Sequence, residues 1–192
     1  LLEGDRSAGL SYAHLDENRP VLLIIGGSLG SVAVNTAVRK ILPQLLNTFQ
    51  IIHICGKGNL DESLIGTEGY VQYEYVDKPL RHLFAAADLI ICRAGAATIS
   101  EVCASALPCI MVPSPNVTNN HQEKNAMVLQ GRGAAVVVPE AGCSGKLLFD
   151  TAKEILTDPA RTKSMRQAAS SLAVVDSAQR IYETALELIQ SR

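Results

Sequence analysis

The chain has 192 residues, of which 47% are hydrophobic and 19% charged, so it is large enough to bury a core without disulfides or metals. This composition excludes a disordered tail and a coiled coil. Seventeen Lys and Arg residues against nineteen Asp and Glu residues give a formal charge of −2, so no overall basic field exists and nucleic acid is not an expected partner.

Residues 1–19 are polar and aperiodic, which predicts a linker segment before one domain that spans residues 20–192. From Pro20 onward, short β-branched runs alternate with helical stretches. The six predicted strands cover residues 21–25, 50–55, 70–76, 88–92, 108–112 and 134–138. The pattern predicts an α/β fold, a Rossmann-like doubly wound parallel sheet of about six strands.

The predicted helices follow the same chain order. They cover residues 31–49, 79–87, 96–106, 119–130, 145–156, 159–172 and 177–189. In the last of them, the spacing of Ile181, Ala185 and Leu188 predicts one buried face. Because ligands of such sheets bind beyond the carboxyl ends of the strands, the loops at those ends are the places to search for chemistry.

The first candidate motif is the turn 26–30, Gly-Gly-Ser-Leu-Gly, between the first predicted strand and helix. Free N–H groups at the start of that helix favour an anion such as phosphate, held near Gly27 and Ser28. The spacing differs from the dinucleotide fingerprint G-x-G-x-x-G, because Ser28 and Ser31 occupy the positions of its second and third glycines. A nicotinamide cofactor is therefore disfavoured, and a tight turn that simply requires glycine remains the alternative.

The same turn also matches G-x-S-x-G, the nucleophile elbow of α/β-hydrolases. Asp88 and His121 follow Ser28 in the chain order of that family. Few residues precede Ser28, whereas the elbow of a hydrolase follows several strands. A hydrolase that uses Ser28 as nucleophile is thus a less favoured alternative.

The second motif, Arg-Ala-Gly-Ala-Ala-Thr-Ile-Ser-Glu at residues 93–101, lies where the fourth strand becomes a helix. Ala96 and Ala97 are small enough to let phosphates approach the backbone N–H groups, and Thr98 adds a hydroxyl donor. The carboxylate of Glu101 can accept both hydrogens of a ribose diol, with each charge-assisted bond contributing roughly 1.5–3 kcal/mol. Alternatively, Glu101 only offsets the helix dipole.

The third motif, Asn-Asn-His-Gln-Glu-Lys-Asn-Ala at residues 119–126, begins the helix after the fifth strand. Gln122 and Asn125 share one helical face, where their amides can donate to and accept from sugar hydroxyls. Helix capping by these amides is the alternative. The sequence has no Asp-x-Asp pair and no His/Cys cluster with ligand spacing, so no metal site is expected.

The five cysteines show no C-x-x-C spacing and mostly lie in apolar runs, which indicates a reducing cytoplasm. No signal peptide is recognisable, and the apolar stretch 21–38 is interrupted by Gly26, Gly27 and Gly30, which disfavours a membrane span. Because the chain starts at Leu1 without an initiator Met, it is expected to be a piece of a longer protein.

In order and spacing, three segments resemble the MurG family of bacterial glycosyltransferases, glycosyltransferase family 28. They are residues 22–30, residues 87–96 together with Glu101, and residues 121–126. The resemblance runs from about Pro20 to the C-terminus and covers only the C-terminal, donor-binding half of a two-domain GT-B enzyme. It implies an inverting hexosyltransferase that moves N-acetylglucosamine from UDP-N-acetylglucosamine to the lipid-linked muramyl pentapeptide in peptidoglycan synthesis.

The resemblance also implies which residues bind the donor. They are Gly27, Ser28, Val76, Asp77, Ala96, Ala97, Thr98, Glu101, His121, Gln122 and Asn125. By this resemblance, Glu101 binds the ribose diol, and Ser28 and the turn 96–98 bind the pyrophosphate. The main chain at residues 76–77 contacts the uracil, and Gln122 and Asn125 contact the sugar. Two departures from the family pattern concern the phosphate turn, where Leu29 replaces a frequent Gln and Ser31 the usual Ala.

The resemblance implies no catalytic residue in this half, because the general base is expected in the N-terminal domain, a partner that this chain lacks. It implies no metal or other cofactor, and a peripheral position of the intact enzyme on the cytoplasmic face of the plasma membrane. The chain alone is expected to be inactive. A transferase with another lipid acceptor and a non-catalytic nucleotide-sugar-binding module are the remaining alternatives.

Overall fold

The computed structural model describes residues 3–190 and contains one parallel sheet. Its strands are β1 (Val21–Ile25), β2 (Gln50–Ile54), β3 (Tyr70–Tyr73), β4 (Leu89–Cys92), β5 (Cys109–Met111) and β6 (Ala135–Val137). The strand order is β3-β2-β1-β4-β5-β6, and every neighbouring pair is parallel. This order confirms the predicted doubly wound sheet, and the chain reverses its direction of winding between β1 and β4.

Helices cover both faces of the sheet. They are α1 (Arg6–Tyr12), α2 (Val32–Lys40), α3 (Leu42–Leu46), α4 (Leu80–Ala86), α5 (Ala96–Ala104), α6 (His121–Gly131), α7 (Gly145–Leu156), α8 (Pro159–Ser171) and α9 (Ser177–Gln190). Along β1 the side chains alternate: Leu23 packs in the core under α1, α4 and α5, whereas Leu22 packs in the core under α2, α3 and α7. A strand buried on both faces explains the unbroken apolar run in the sequence.

The segment predicted to be an irregular linker instead contains helix α1, packed on α4. Asp5 caps α1, since its side chain accepts a hydrogen bond from the Ala8 N–H at 2.6 Å. Gly9 permits close packing, because a Cβ there would stand 2.1 Å from the carbonyl oxygen of His82. Gly9 therefore lies within a helix and allows close contact between two helices.

The single helix predicted for residues 31–49 is divided into α2 and α3. Pro43 lies in the first turn of α3, where its missing N–H leaves no hydrogen bond unmade. In a continuous helix the same proline would face the carbonyl of Arg39 without a donor. The break between the helices therefore follows from one residue.

Helix α9 differs from the buried face predicted for it. None of its described residues is buried, and Ile181 and Ile189 are each 70% exposed. Within residues 3–190, no helix is long and apolar enough to cross a membrane. The helix therefore presents an apolar face outside the core of this domain.

Candidate functional site

The turn between β1 and α2 is compact and presents Ser28 to solvent. Gly27 and Gly30 have φ values of 90° and 77°, and the Gly30 N–H donates to the Gly27 carbonyl at 3.0 Å. Ser31 begins the helix, and its hydroxyl accepts from the Val34 N–H at 3.2 Å. The Ser28 hydroxyl therefore lies beside the start of a helix, as the phosphate hypothesis requires.

A buried polar network supports this turn from below. His53 on β2 is fully buried, with its Nε2 2.9 Å from the Asn35 Oδ1 and its Nδ1 2.9 Å from the Tyr70 hydroxyl. The Asn35 amide in turn donates to the carbonyl of Cys55 at 2.9 Å. Burial, followed by the charge of Arg39, lowers the pKa of His53 to about 3, so the ring is neutral and each nitrogen can serve one partner.

The start of α5 offers a second set of backbone donors. Gly95 precedes the helix, and no side chain caps its first turn. Ala96 and Ala97 are exposed, and Thr98 is half-buried beside them. Uncapped N–H groups behind small residues form a favourable anion site at the positive end of the helix dipole.

A cavity of about 320 Å³ joins these two turns where the winding of the sheet reverses. Six of the residues predicted to bind substrate line it, namely Gly27, Ser28, Val76, Ala97, Thr98 and Glu101. Ala96 and Asp77 lie next to lining residues without lining the cavity themselves. The Asp77 carbonyl accepts from the Leu80 N–H at 2.9 Å and so helps to start α4.

Glu101 lies in the second turn of α5 and points into this cavity. Among residues 3–190, its carboxylate receives no hydrogen bond and forms no ion pair with a side chain. Burial raises the pKa of Glu101. A carboxylate that only offset the dipole would lie in the first turn, so its position favours a ligand role.

Sequence reasoning missed the five other residues that line the cavity, namely Ile25, Ile54, Glu74, Tyr75 and Leu80. The predicted third strand extends to Val76, but β3 ends at Tyr73 and the next residues turn into the cavity. Glu74 accepts a hydrogen bond from the Gly58 N–H at 2.5 Å, which ties this loop to the end of β2. An acidic residue inside an apolar run was the available signal.

The residues of the third motif lie at the neighbouring end of β5 and outside this cavity. Asn125 donates to the Ala94 carbonyl at 3.2 Å, and Gln122 accepts from the Ser114 N–H at 2.9 Å. The Nδ1 of His121 lies 2.9 Å from the Thr118 carbonyl. The Asn125 contact places this motif beside the start of α5, and one polar atom of each amide remains available to a ligand.

The geometry excludes the alternative of a Ser28, His121 and Asp88 triad. Asp88 precedes β4 and lies at the amino edge of the sheet, where its carboxylate accepts from the Val21 N–H at 2.9 Å. Ser28 follows the carboxyl end of the adjacent strand β1. The hydrolase alternative is therefore wrong, because two members of the triad lie at opposite ends of the sheet.

An ion pair beside the cavity connects the segments that follow β4, β5 and β6. Arg93 at the end of β4 pairs with Glu140 and donates to the Val112 carbonyl at 2.9 Å. Its side chain is 13% exposed, so the pair is largely removed from solvent. Within the described part of the chain, no group of three or more His, Cys, Asp or Glu side chains is arranged to hold a metal ion.

The fold defines an α/β domain of the doubly wound class, with a cavity where the strand order reverses, which is where such folds bind their ligands. Residues 21–181 match the model of the glycosyltransferase family 28 C-terminal domain. The chain therefore belongs to glycosyltransferase family 28.

The relatives are named as transferases of one kind. The chain is 46% identical over 156 residues to the UDP-N-acetylglucosamine–N-acetylmuramyl-(pentapeptide) pyrophosphoryl-undecaprenol N-acetylglucosamine transferase of Clostridium perfringens, covering 81% of this chain and 44% of that protein. It is 41% identical over 157 residues to the transferase of the same name from Legionella pneumophila, covering 81% and 43%. The chain thus spans less than half the length of these curated relatives.

Among solved structures, the chain is similar to Acinetobacter baumannii MurG. The two share 25% sequence identity with a TM-score of 0.77, and the match covers 100% of this chain and 55% of that one. The part of the relatives that this chain matches is therefore one domain of a larger enzyme.

Proposed function

We propose that this chain is the donor-binding domain of an inverting transferase that moves N-acetylglucosamine from UDP-N-acetylglucosamine to the lipid-linked muramyl pentapeptide. One observation carries the proposal. In a member of glycosyltransferase family 28, one cavity brings together Ser28, the uncapped start of α5 and a Glu101 carboxylate that has no hydrogen-bond or ion-pair partner within residues 3–190.

In the proposed binding mode, Glu101 accepts hydrogen bonds from the ribose diol of the nucleotide. The pyrophosphate lies between Ser28 and the first N–H groups of α5, which supply hydrogen-bond donors and the positive end of a helix dipole. The uracil contacts the main chain near Val76, which lines the same cavity. The sugar extends toward Gln122 and Asn125 at the end of β5.

The reaction then follows from how the leaving group is held. An acceptor hydroxyl attacks the anomeric carbon of the donor sugar as the bond to UDP breaks, and the configuration at that carbon inverts. Negative charge develops on the departing pyrophosphate, where the backbone donors at the start of α5 are already oriented to stabilise it. The proposed step requires neither a metal nor another cofactor.

The acceptor groove and the general base belong, in this proposal, to the half of the relatives that this chain does not match. The apolar residues of α9, including Ile181 and Tyr182, are exposed and offer a surface for that domain. Donor residues would then form one wall of a cleft whose other wall holds the lipid-linked acceptor. A lipid acceptor also favours a peripheral position of the whole enzyme on the cytoplasmic side of the membrane.

Calorimetric titration of the chain with nucleotides tests the donor assignment. UDP and UDP-N-acetylglucosamine are expected to bind more tightly than ADP, GDP or NAD. Glu101→Ala is expected to weaken UDP binding by roughly 10- to 100-fold, which corresponds to one or two charge-assisted hydrogen bonds. Binding of 2′,3′-dideoxyuridine diphosphate should change much less in that variant.

The matched control is Glu68→Ala, which removes an exposed carboxylate that precedes β3, whereas the cavity lies at the opposite, carboxyl end of that strand. This variant should leave UDP binding unchanged. Equal or tighter binding of NAD would refute the nucleotide assignment. An unchanged UDP affinity of Glu101→Ala would refute the role of that carboxylate.

A further inference from the structure

A second cavity, of about 510 Å³, lies at the opposite edge of the sheet from the nucleotide cavity. Its walls include Pro20 and Asp88, which precede β1 and β4, and residues of α8. The two cavities share no lining residue. Whatever this cavity binds is therefore separate from the proposed donor.

The charges around this second cavity are unbalanced. Four of its lining residues are cationic and two are acidic, which leaves an excess of two positive charges. The cations are Arg6, Arg19, Lys163 and Arg166, and the acids are Glu17 and Asp88. In a chain whose overall charge is −2, this is a local concentration of positive charge.

The carboxylate of Asp88 in the wall is already engaged by other groups. Asp88 accepts from the Val21 N–H at 2.9 Å and from the Arg6 Nη2 at 3.2 Å. Arg166 contacts Asp88 only through the backbone carbonyl, at 3.4 Å. Among the residues that the structure describes, no carboxylate forms an ion pair with Arg166.

Partial burial of Arg166 with no carboxylate paired to it in the described part of the chain is costly. Burial lowers its pKa, while the charges of Asp88 and Arg6 act on it in opposite directions. An anion next to this guanidinium would relieve the desolvation cost, because an arginine fork binds oxyanions through two parallel hydrogen bonds.

Helix α8 presents several groups to the cavity from one face. Thr162, Lys163 and Arg166 follow one another at helical spacing, and all three line the cavity. The helix packs on α5 and α7, so this face is held by a rigid element. Lys163 is exposed at the opening and adds a second cation less than one turn from Arg166.

We propose that this cavity is a binding site for a phosphate group, with Arg166 and Lys163 as its principal ligands. A free phosphate and the phosphate of an anionic lipid headgroup share this chemistry. The site is independent of the proposed donor function, because it uses none of the residues of the nucleotide cavity.

The test is a calorimetric titration of the intact chain with inorganic phosphate, with and without saturating UDP-N-acetylglucosamine. One phosphate is expected to bind in both conditions. Arg166→Ala should weaken that binding at least 10-fold, and Arg166→Lys should weaken it less because the charge remains. Circular dichroism would establish that each variant is folded, and Lys163→Ala provides a second test if Arg166→Ala does not fold.

Arg161→Ala is the matched control, since it removes the same charge from the same helix. Arg161 does not line this cavity and pairs with Glu154 instead.

A second experiment measures binding to phosphatidylcholine vesicles with and without phosphatidylglycerol, for the wild type and the same variants. Binding of inorganic phosphate would show that the site takes a free phosphate. Binding to anionic vesicles alone, if Arg166→Ala loses it and Arg161→Ala keeps it, would show that the site takes a lipid headgroup. If neither ligand binds, or if Arg161→Ala loses as much as Arg166→Ala, the proposal is overturned.

Discussion

Gly30 and Gly56 meet backbone to backbone, so that a Cβ on Gly56 would stand 2.2 Å from the Gly30 nitrogen. Both residues have positive φ, 77° and 89°, which other residues rarely adopt. Through this contact the β1–α2 turn packs on the residues that follow β2. It lies against the carbonyl of Cys55, which accepts a hydrogen bond from the Asn35 amide. The shape of the phosphate turn therefore depends on a strand that contributes only Ile54 to the cavity.

Gly56→Ala should weaken UDP binding by at least 10-fold, because the new methyl group displaces the turn that carries Ser28. Gly66→Ala is its control, since Gly66 also has positive φ, 82°, but has open space around its Cβ position. Both variants should lose roughly 1–2 kcal/mol of stability from backbone strain, with a larger loss for Gly56→Ala. Chemical denaturation and calorimetry measure the two quantities, and equal UDP affinities of the two variants would contradict the prediction.

Binding of UDP-N-acetylglucosamine should weaken at mildly acidic pH. An ordinary glutamate has a pKa of about 4.3. Burial raises the pKa of Glu101, so this carboxyl takes up its proton at a higher pH than an ordinary glutamate does. The protonated carboxyl loses acceptor capacity for the ribose diol, and affinity falls as the pH descends toward the raised pKa. The sugar nucleotide is preferred to UDP here because it lacks a terminal phosphate that titrates near neutrality.

Glu101→Gln separates this effect from acid unfolding. The variant should bind more weakly at neutral pH and lose the pH dependence attributed to residue 101. A pH profile of Glu101→Gln with the same slope as the wild type would show that another group titrates.

The stability of the domain should fall with acidification because of His53. Its pKa is lowered to about 3 in the folded chain, against 6.5 for an ordinary histidine, so the unfolded state binds the proton more readily. The contribution of the neutral ring is complete above about pH 6.5 and is lost as the pH falls toward 3, with a limiting slope of about 1.4 kcal/mol per pH unit.

His53→Gln should be less stable at neutral pH but show a smaller slope of unfolding free energy between pH 6 and 4, measured by urea denaturation. His14→Asn is the control, since His14 is exposed and its φ of 53° suits asparagine. If the slope were unchanged in His53→Gln, the acid sensitivity would arise elsewhere in the chain.

The chain alone should bind the donor without transferring sugar. Positioning of both reactants contributes roughly 7–11 kcal/mol to such reactions, and the proposed cleft supplies only its donor wall here. Labelled UDP-N-acetylglucosamine and a lipid-linked muramyl-peptide acceptor would be incubated with the chain, and then again with the N-terminal domain of a family member. Appreciable transfer by the chain alone would place the acceptor groove and the general base within these residues. Since the proposed step requires no metal, EDTA should leave donor binding unchanged.

The central strands β1 and β4 were predictable because each is a short apolar run buried on both faces. The proximity of Ser28 and Glu101 could also be predicted from the sequence, since the carboxyl ends of adjacent parallel strands lie at one edge of the sheet. Helix α1 was missed because Gly9 within it and Gly4 before it serve tertiary contacts that local patterns do not reveal. The inward turn of Glu74 depends on where β3 ends, and strand ends are poorly determined by local sequence.

The position of β1 between β2 and β4 has a consequence for synthesis on the ribosome. The N–H of Val21 bonds to Asp88, 67 residues further along the chain, so one edge of β1 stays unpaired until β4 emerges. At roughly 5–20 residues per second, this interval lasts several seconds. During that time a wholly apolar strand has an open edge, which is the condition under which nascent chains aggregate or require a chaperone.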